Sequence, residues 1–165
     1  MQRFLWIRLL GLVVFIGVLF STALPAYAAG DAYVTRYLRV TEPIPLVLDE
    51  QGSTRFFAAE ELSAGKQLCE RNCLNCHVGG ATLPDPTVSL SLATLQGATP
   101  RRDNVSSLVA YFRQPMTYDG TEEAFLCRQV PESWLSQAQV ESLAGVVLRA
   151  AQTAPGWGGV IFQNE

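Results

Sequence analysis

The most regular stretch of the chain is residues 136–152, SQAQVESLAGVVLRAAQ. Val140, Leu143, Ala144, Val147, Leu148 and Ala151 recur there at spacings of three and four, which predicts a helix with one apolar stripe. Ser136 and Gln139 precede the stripe at capping-box spacing. Gly145 interrupts it at a cost of about 1 kcal/mol relative to Ala, and a close helix crossing would account for that residue. A second helix is predicted over 58–72, where Leu62, Gly65, Leu68 and Cys69 share one face. Gly65 is the natural counterpart of Gly145 at such a crossing. A shorter helix within 101–115 takes Asp103 or Asn104 as its cap and ends before Pro115. Residues 31–57 read as extended, and two apolar runs around Asp49-Glu50-Gln51-Gly52 predict a β-hairpin. Residues 78–100 hold three Pro and three Gly with no helical period, so they read as a loop that wraps the domain.

The start of the chain follows a different pattern. Arg3 and Arg8 precede a twelve-residue apolar run at 9–20, and Ala26-Tyr27-Ala28 fits a small-residue cleavage site. This reads as a secretory signal cleaved after Ala28. A membrane anchor is the competing reading, but the run is short of the ~20 residues that cross a bilayer. The expected division is a leader at 1–28, an extension with the hairpin at 29–57, and the main domain at 58–165. Cleavage leaves 137 residues, enough for one domain with one core. It removes two of the 12 basic residues and none of the 15 acidic ones, so the net charge moves from −3 to −5. That acidic balance argues against nucleic acids and anionic membranes as partners. A basic docking surface is compatible with it.

The candidate chemistry lies in Cys73-Leu74-Asn75-Cys76-His77. C-x-x-C-H is the attachment signature of a c-type haem. Two thiols about one helical turn apart can add to the two vinyl groups of one porphyrin, and the next imidazole then falls beneath the iron. A zinc site would want a second Cys/His pair at similar spacing, and a thioredoxin-like dithiol would sit beside a βαβ pattern; neither is found. Export and haem support each other, because c-type cytochromes are assembled outside the cytoplasm. The expected cofactor is one covalently attached haem c, held by Cys73 and Cys76 with His77 as proximal ligand. His77 is also the chain's single histidine, which leaves the second axial position of the iron to another residue type.

Helix, C-x-x-C-H, long loop, short helix and closing helix together resemble a mainly α, class I cytochrome c fold, with the β-hairpin as an N-terminal addition. The blocks CHVGG, ATPRRDN, LVAYFRQPMTYDG and WGGVIF occur in the order found in the cytochrome c-550 family of cyanobacterial photosystem II. The likeness runs from about Val47 to the end and is greatest to the diverged cytochrome c-550-like branch. It implies a non-enzymatic, low-potential electron-transfer or haem-bearing accessory protein on the lumenal side of the thylakoid membrane. Photosystem II lumenal subunits are then the expected partners.

The family is bis-histidine, with its second histidine several residues after the TYDG block. Here that region reads TYDGTEEAFLCRQVPESW, and Cys127 stands close to the expected place. Cys127 is therefore the foremost candidate for the sixth ligand, as a thiolate. Met116, the only methionine of the mature chain, is the weaker alternative, and an open position is a third. A Cys69–Cys127 disulfide is also conceivable, although Cys69 reads better as a small buried apolar residue. Arg101, Arg102, Asn104 and Tyr118 are candidates for the haem propionates by polarity and position. A haem-based redox or small-ligand sensor with a displaceable sixth ligand is the alternative function. A peroxidase-like use of an open iron lacks support, since there is no distal His/Arg pair.

Overall fold

The computed structural model of the chain describes residues 31–84 and 87–159, so the predicted leader lies outside the described residues. The architecture is mostly helical with one small sheet. In order it contains α1 (Ala32–Arg36), β1 (Ile44–Val47), β2 (Thr54–Phe57), α2 (Ala59–Asn72), a 3-10 turn (Val78–Gly80), α3 (Leu92–Gly97), α4 (Val105–Arg113) and α5 (Gln137–Thr153). β1 and β2 pair antiparallel, with Ile44 opposite Phe57 and Val47 opposite Thr54. Asp49 closes the turn between them by accepting from the backbone N–H groups of Gln51 and Ser53.

The core is built on α2 and α5. Leu62, Gly65, Leu68 and Cys69 are the buried residues of α2, which is the face read from their spacing. On α5 the stripe from Val140 to Leu148 is buried, and Ala151 is half-buried. Ser136 and Gln139 cap α5 reciprocally, and Asn104 caps α4 by accepting from the Ser107 N–H at 2.9 Å.

The two glycines do not face each other across the crossing. A Cβ on Gly65 would lie 2.0 Å from the backbone oxygen of Ser142, whereas one on Gly145 would lie 2.8 Å from the Phe57 ring. Gly65 thus admits the α5 backbone, and Gly145 admits the aromatic ring that ends β2. Gly65→Ala should lower stability by about 1–3 kcal/mol, the usual range for overpacking, despite the roughly 1 kcal/mol better helix propensity of Ala. Thermal denaturation of the haem-loaded variant checks this; a raised midpoint would mean that the helices separate freely.

Two short helices differ from expectation. Residues 31–57 are not extended throughout, because α1 opens the described chain. Asp31 accepts from the Tyr33 N–H at 2.7 Å and meets the Lys66 ammonium at 3.0 Å. Val34 and Leu38, four residues apart, are fully buried. The cap and that apolar pair override the β-branched Val34 and Thr35, which disfavour a helix locally. In the loop segment, Ser91 caps α3 by accepting from the Thr94 N–H at 3.2 Å. α3 buries only Leu95, too little to leave a period in the sequence.

Candidate functional site

α2 delivers the chain into the Cys-x-x-Cys-His segment and ends there. The Cys73 N–H donates to the Cys69 carbonyl at 2.8 Å, and the His77 N–H donates to the Cys73 carbonyl at 2.9 Å. Cys76 N–H also reaches the Cys73 carbonyl, at 3.1 Å. The segment therefore folds back in one tight turn at the helix end. All four cysteines are free thiols, so Cys69 and Cys127 are not joined. Cys69 is 8% exposed and belongs to the core. Its thiol hydrogen-bonds that of Cys73, which lowers the pKa of Cys69 and raises that of Cys73.

Thr82 contacts His77 and bears on its tautomer. The Thr82 hydroxyl donates its single proton to the Val88 carbonyl. It can then only accept at its 3.0 Å contact with His77 Nδ1. In that arrangement Nδ1 carries the hydrogen and Nε2 keeps the lone pair that a metal would need. Burial pushes the His77 pKa down, which favours the neutral ring. Thr82→Val should remove this orientation and lower metal-ligand strength, while Thr82→Ser should retain it. The ferric absorption spectrum and the reduction potential check the pair; equal behaviour of Val and Ser would remove the role.

The chain's last described residues are stapled across the loop after His77. Trp157 Nε1–H donates to the Leu90 carbonyl at 2.9 Å, and Gly158 N–H donates to the Gly79 carbonyl at 2.8 Å. Gly80, at φ +80°, lies so close to the Trp157 ring that a Cβ would come within 2.6 Å.

Cys127 lies in the segment between α4 and α5. It is half-buried, with Tyr111 of α4 nearby. Burial pushes its thiol up, while nearby Tyr111 and the Arg102 charge oppose that shift. Cys73 and Cys76 also act on it electrostatically. Met116 is half-buried and forms a backbone bridge with Glu123.

The propionate candidates also have protein partners. Arg102 is buried and donates to the carbonyls of Met116 at 3.1 Å and Thr117 at 2.6 Å. Asn104 is committed to its cap, and Tyr118 donates to the Thr94 carbonyl at 3.1 Å. Arg101 is exposed and pairs with Asp103. Thr82 and Tyr111 were not legible as site residues, because nothing in local spacing ties either side chain to its partner.

The segments carrying these cysteines also present bare apolar surface. Leu74 and Leu83 are 42% and 48% exposed near His77, and Phe125 and Leu126 are 92% and 65% exposed just before Cys127. Large exposed apolar side chains mark a candidate binding surface. A flat apolar macrocycle suits it, with thiols for attachment and a neutral imidazole for its metal.

The helical fold and its C-x-x-C-H turn are those of a c-type cytochrome. The chain belongs to the cytochrome c-550 family, whose domain profile matches residues 37–163. It is 49% identical over 171 residues to the cytochrome c-550-like protein of Thermosynechococcus vestitus, covering 99% of this chain and 98% of that protein. It is 52% identical over 133 residues to the photosystem II extrinsic protein V of Gloeobacter violaceus, covering 81% of this chain and 72% of that protein. Among solved structures, the PsbV2 cytochrome of Thermosynechococcus elongatus superposes with a TM-score of 0.77 at 55% identity, covering 79% of this chain and 99% of that one. A cytochrome c549 structure superposes with a TM-score of 0.63 at 29% identity, covering 70% of this chain and 95% of that one.

Proposed function

We propose that the chain is a low-potential monohaem cytochrome whose iron is held by His77 and Cys127, acting as an electron-transfer or haem-bearing accessory protein of photosystem II. What supports this reading is that Cys127 interacts electrostatically with Cys73 and Cys76, which brings it near the C-x-x-C-H turn. In this reading the S–H groups of Cys73 and Cys76 add across the two porphyrin vinyl groups, giving two thioethers. His77 offers Nε2, fixed by Thr82. The haem, when bound, supplies a one-electron ferric/ferrous couple. Cys127 supplies negative charge as a thiolate, which favours the ferric state and keeps the potential low. The exposed apolar residues near both ligands exclude water from the porphyrin faces.

The relative named photosystem II extrinsic protein V supports docking on the lumenal side, in keeping with the leader. Among the described residues no helix is long and apolar enough to cross a membrane, which fits a peripheral protein. Electron paramagnetic resonance of the oxidised protein with a potentiometric titration tests the ligation: a low-spin thiolate signal and a low potential are expected, and a high-spin signal would refute it. Competition binding to photosystem II against the ordinary cytochrome tests docking, which complete failure to bind would refute. Binding of a diatomic gas by the ferrous protein would favour the sensor reading instead.

A further inference from the structure

The hairpin has two faces. Leu46 and Phe57 join the core from one of them, with Ile44 packed beside them. Pro45, Val47, Thr54 and Phe56 alternate onto the other, where Pro45 stands opposite Phe56 and Val47 opposite Thr54. All four are exposed, Phe56 at 63% and Val47 at 42%. This apolar face is remote from the attachment turn: β2 leads into the start of α2, and Cys73 follows its end, about 21 Å on for a helix of 14 residues. The outer edge of β2 is open as well. The Leu48 N–H donates to the Ser53 carbonyl, so by alternation the 46–55 and 44–57 pairs carry the ladder bonds, and the backbone groups of Thr54 and Phe56 point away from β1. Among the described residues no backbone group pairs with them there. On the β1 edge Pro45 has no N–H to offer, which leaves β2 as the edge able to take a further strand.

We propose that the β2 edge docks an extended segment of a protein on the lumenal face of photosystem II, an apolar segment flanked by lysine or arginine. This rests on the reading of the chain as a photosystem II accessory protein and is independent of the haem ligands. Backbone pairing along Thr54 and Phe56 supplies the attachment, and an apolar side chain of the added strand packs on Phe56. Charge selects the occupant. Glu42 before β1, Glu50 in the turn and Glu60 after β2 are exposed, and none makes a salt bridge among the described residues. Arg55 is the single base between residues 42 and 60, and it is spent on Glu61 and Glu141. An apolar centre with an acidic rim is complementary to a basic partner. A second copy fits poorly, because it would bring the same carboxylates toward each other.

The experiment measures the affinity of haem-loaded protein for photosystem II particles stripped of their extrinsic subunits, at several salt concentrations. F56S should weaken binding about tenfold, as expected for one aromatic side chain left unburied, and T54P should weaken it similarly by removing the outward N–H of the edge. The triple variant E42K/E50K/E60K should weaken it about tenfold at low salt and lose most of the salt dependence. All three should keep the wild-type ferric spectrum. Should T54P lower the thermal midpoint, F56S and the charge variant decide alone. If the wild type binds and F56S and the charge variant bind equally well, the hairpin is not the docking surface and the proposal is overturned, while the photosystem II reading stands. If the wild type does not bind, that reading fails and takes the proposal with it. If sedimentation shows a wild-type dimer that F56S dissociates, the edge serves a second copy and the proposal is likewise overturned.

Discussion

A chain carrying Cys73→Ala and Cys76→Ala together will emerge from the cytochrome maturation machinery with the mass of the bare polypeptide. The wild type, denatured and weighed the same way, will carry one haem. The reason is local and covalent. Each thiol offers one S–H bond for one vinyl group, and the turn after α2 holds Cys73 and Cys76 together through the hydrogen bonds of Cys76 and His77 to the Cys73 carbonyl. Either single variant keeps one point of attachment, and the double variant keeps none. Cys69 does not substitute, because it is buried in the α2 core one turn earlier. Stability should fall with attachment. Leu74, Leu83, Phe125 and Leu126 remain largely exposed on the polypeptide, and a bound apolar group stabilises the folded state by the free energy of its binding. A lowered thermal midpoint in the double variant is therefore the companion result. A haem mass that survives in the denatured double variant would mean that another residue makes the linkage.

What the sequence made legible follows from range. α2 and α5 are long, amphipathic and packed on each other, so their faces show as periods in the residues. The attachment motif is equally local, five residues whose spacing is itself the chemistry. α1 and α3 are single turns, and their causes lie at a distance. Asp31 is held by Lys66 across 35 positions, and Leu95 is buried by other elements, so neither helix carries a pattern of its own. The same limit applies to the site. Thr82 meets His77, and Arg102 meets the Met116 and Thr117 carbonyls and the Tyr111 ring, through contacts that the fold creates and no spacing announces. The glycines show a mixed case: the need for close packing at Gly65 and Gly145 is readable from a small residue on an apolar face, while the identity of each neighbour depends on the tertiary arrangement. The segment from 78 to 100 is a further example, since its Pro and Gly content conceals α3, capped by Ser91.

Cys127→Ser will convert the ferric haem from a low-spin to a high-spin or water-bound form, whereas Met116→Leu and Cys69→Ser will leave the ferric spectrum nearly unchanged. The three substitutions test three different placements. Cys127 interacts electrostatically with both motif thiols, so it is the foremost sulfur for the sixth position. A serine there keeps the size and a hydrogen-bonding group but loses the soft anionic donor that a strong-field iron–sulfur bond requires. Met116 is pinned by its backbone, bridging Glu123 and accepting from Arg102, so its loss should register as a small packing change. Cys69 is a core residue whose thiol meets Cys73, and serine there should cost stability without touching the iron. The potential provides a second reading of the same comparison. Losing a thiolate removes the donor that favours ferric iron, so Cys127→Ser should raise the potential, and the other two should not. A native ferric spectrum in Cys127→Ser together with a lost one in Met116→Leu would assign the ligand to Met116 and end the low-potential thiolate account. If all three variants keep the native spectrum, the sixth position belongs to none of these residues, and the sensor reading rises above the electron carrier.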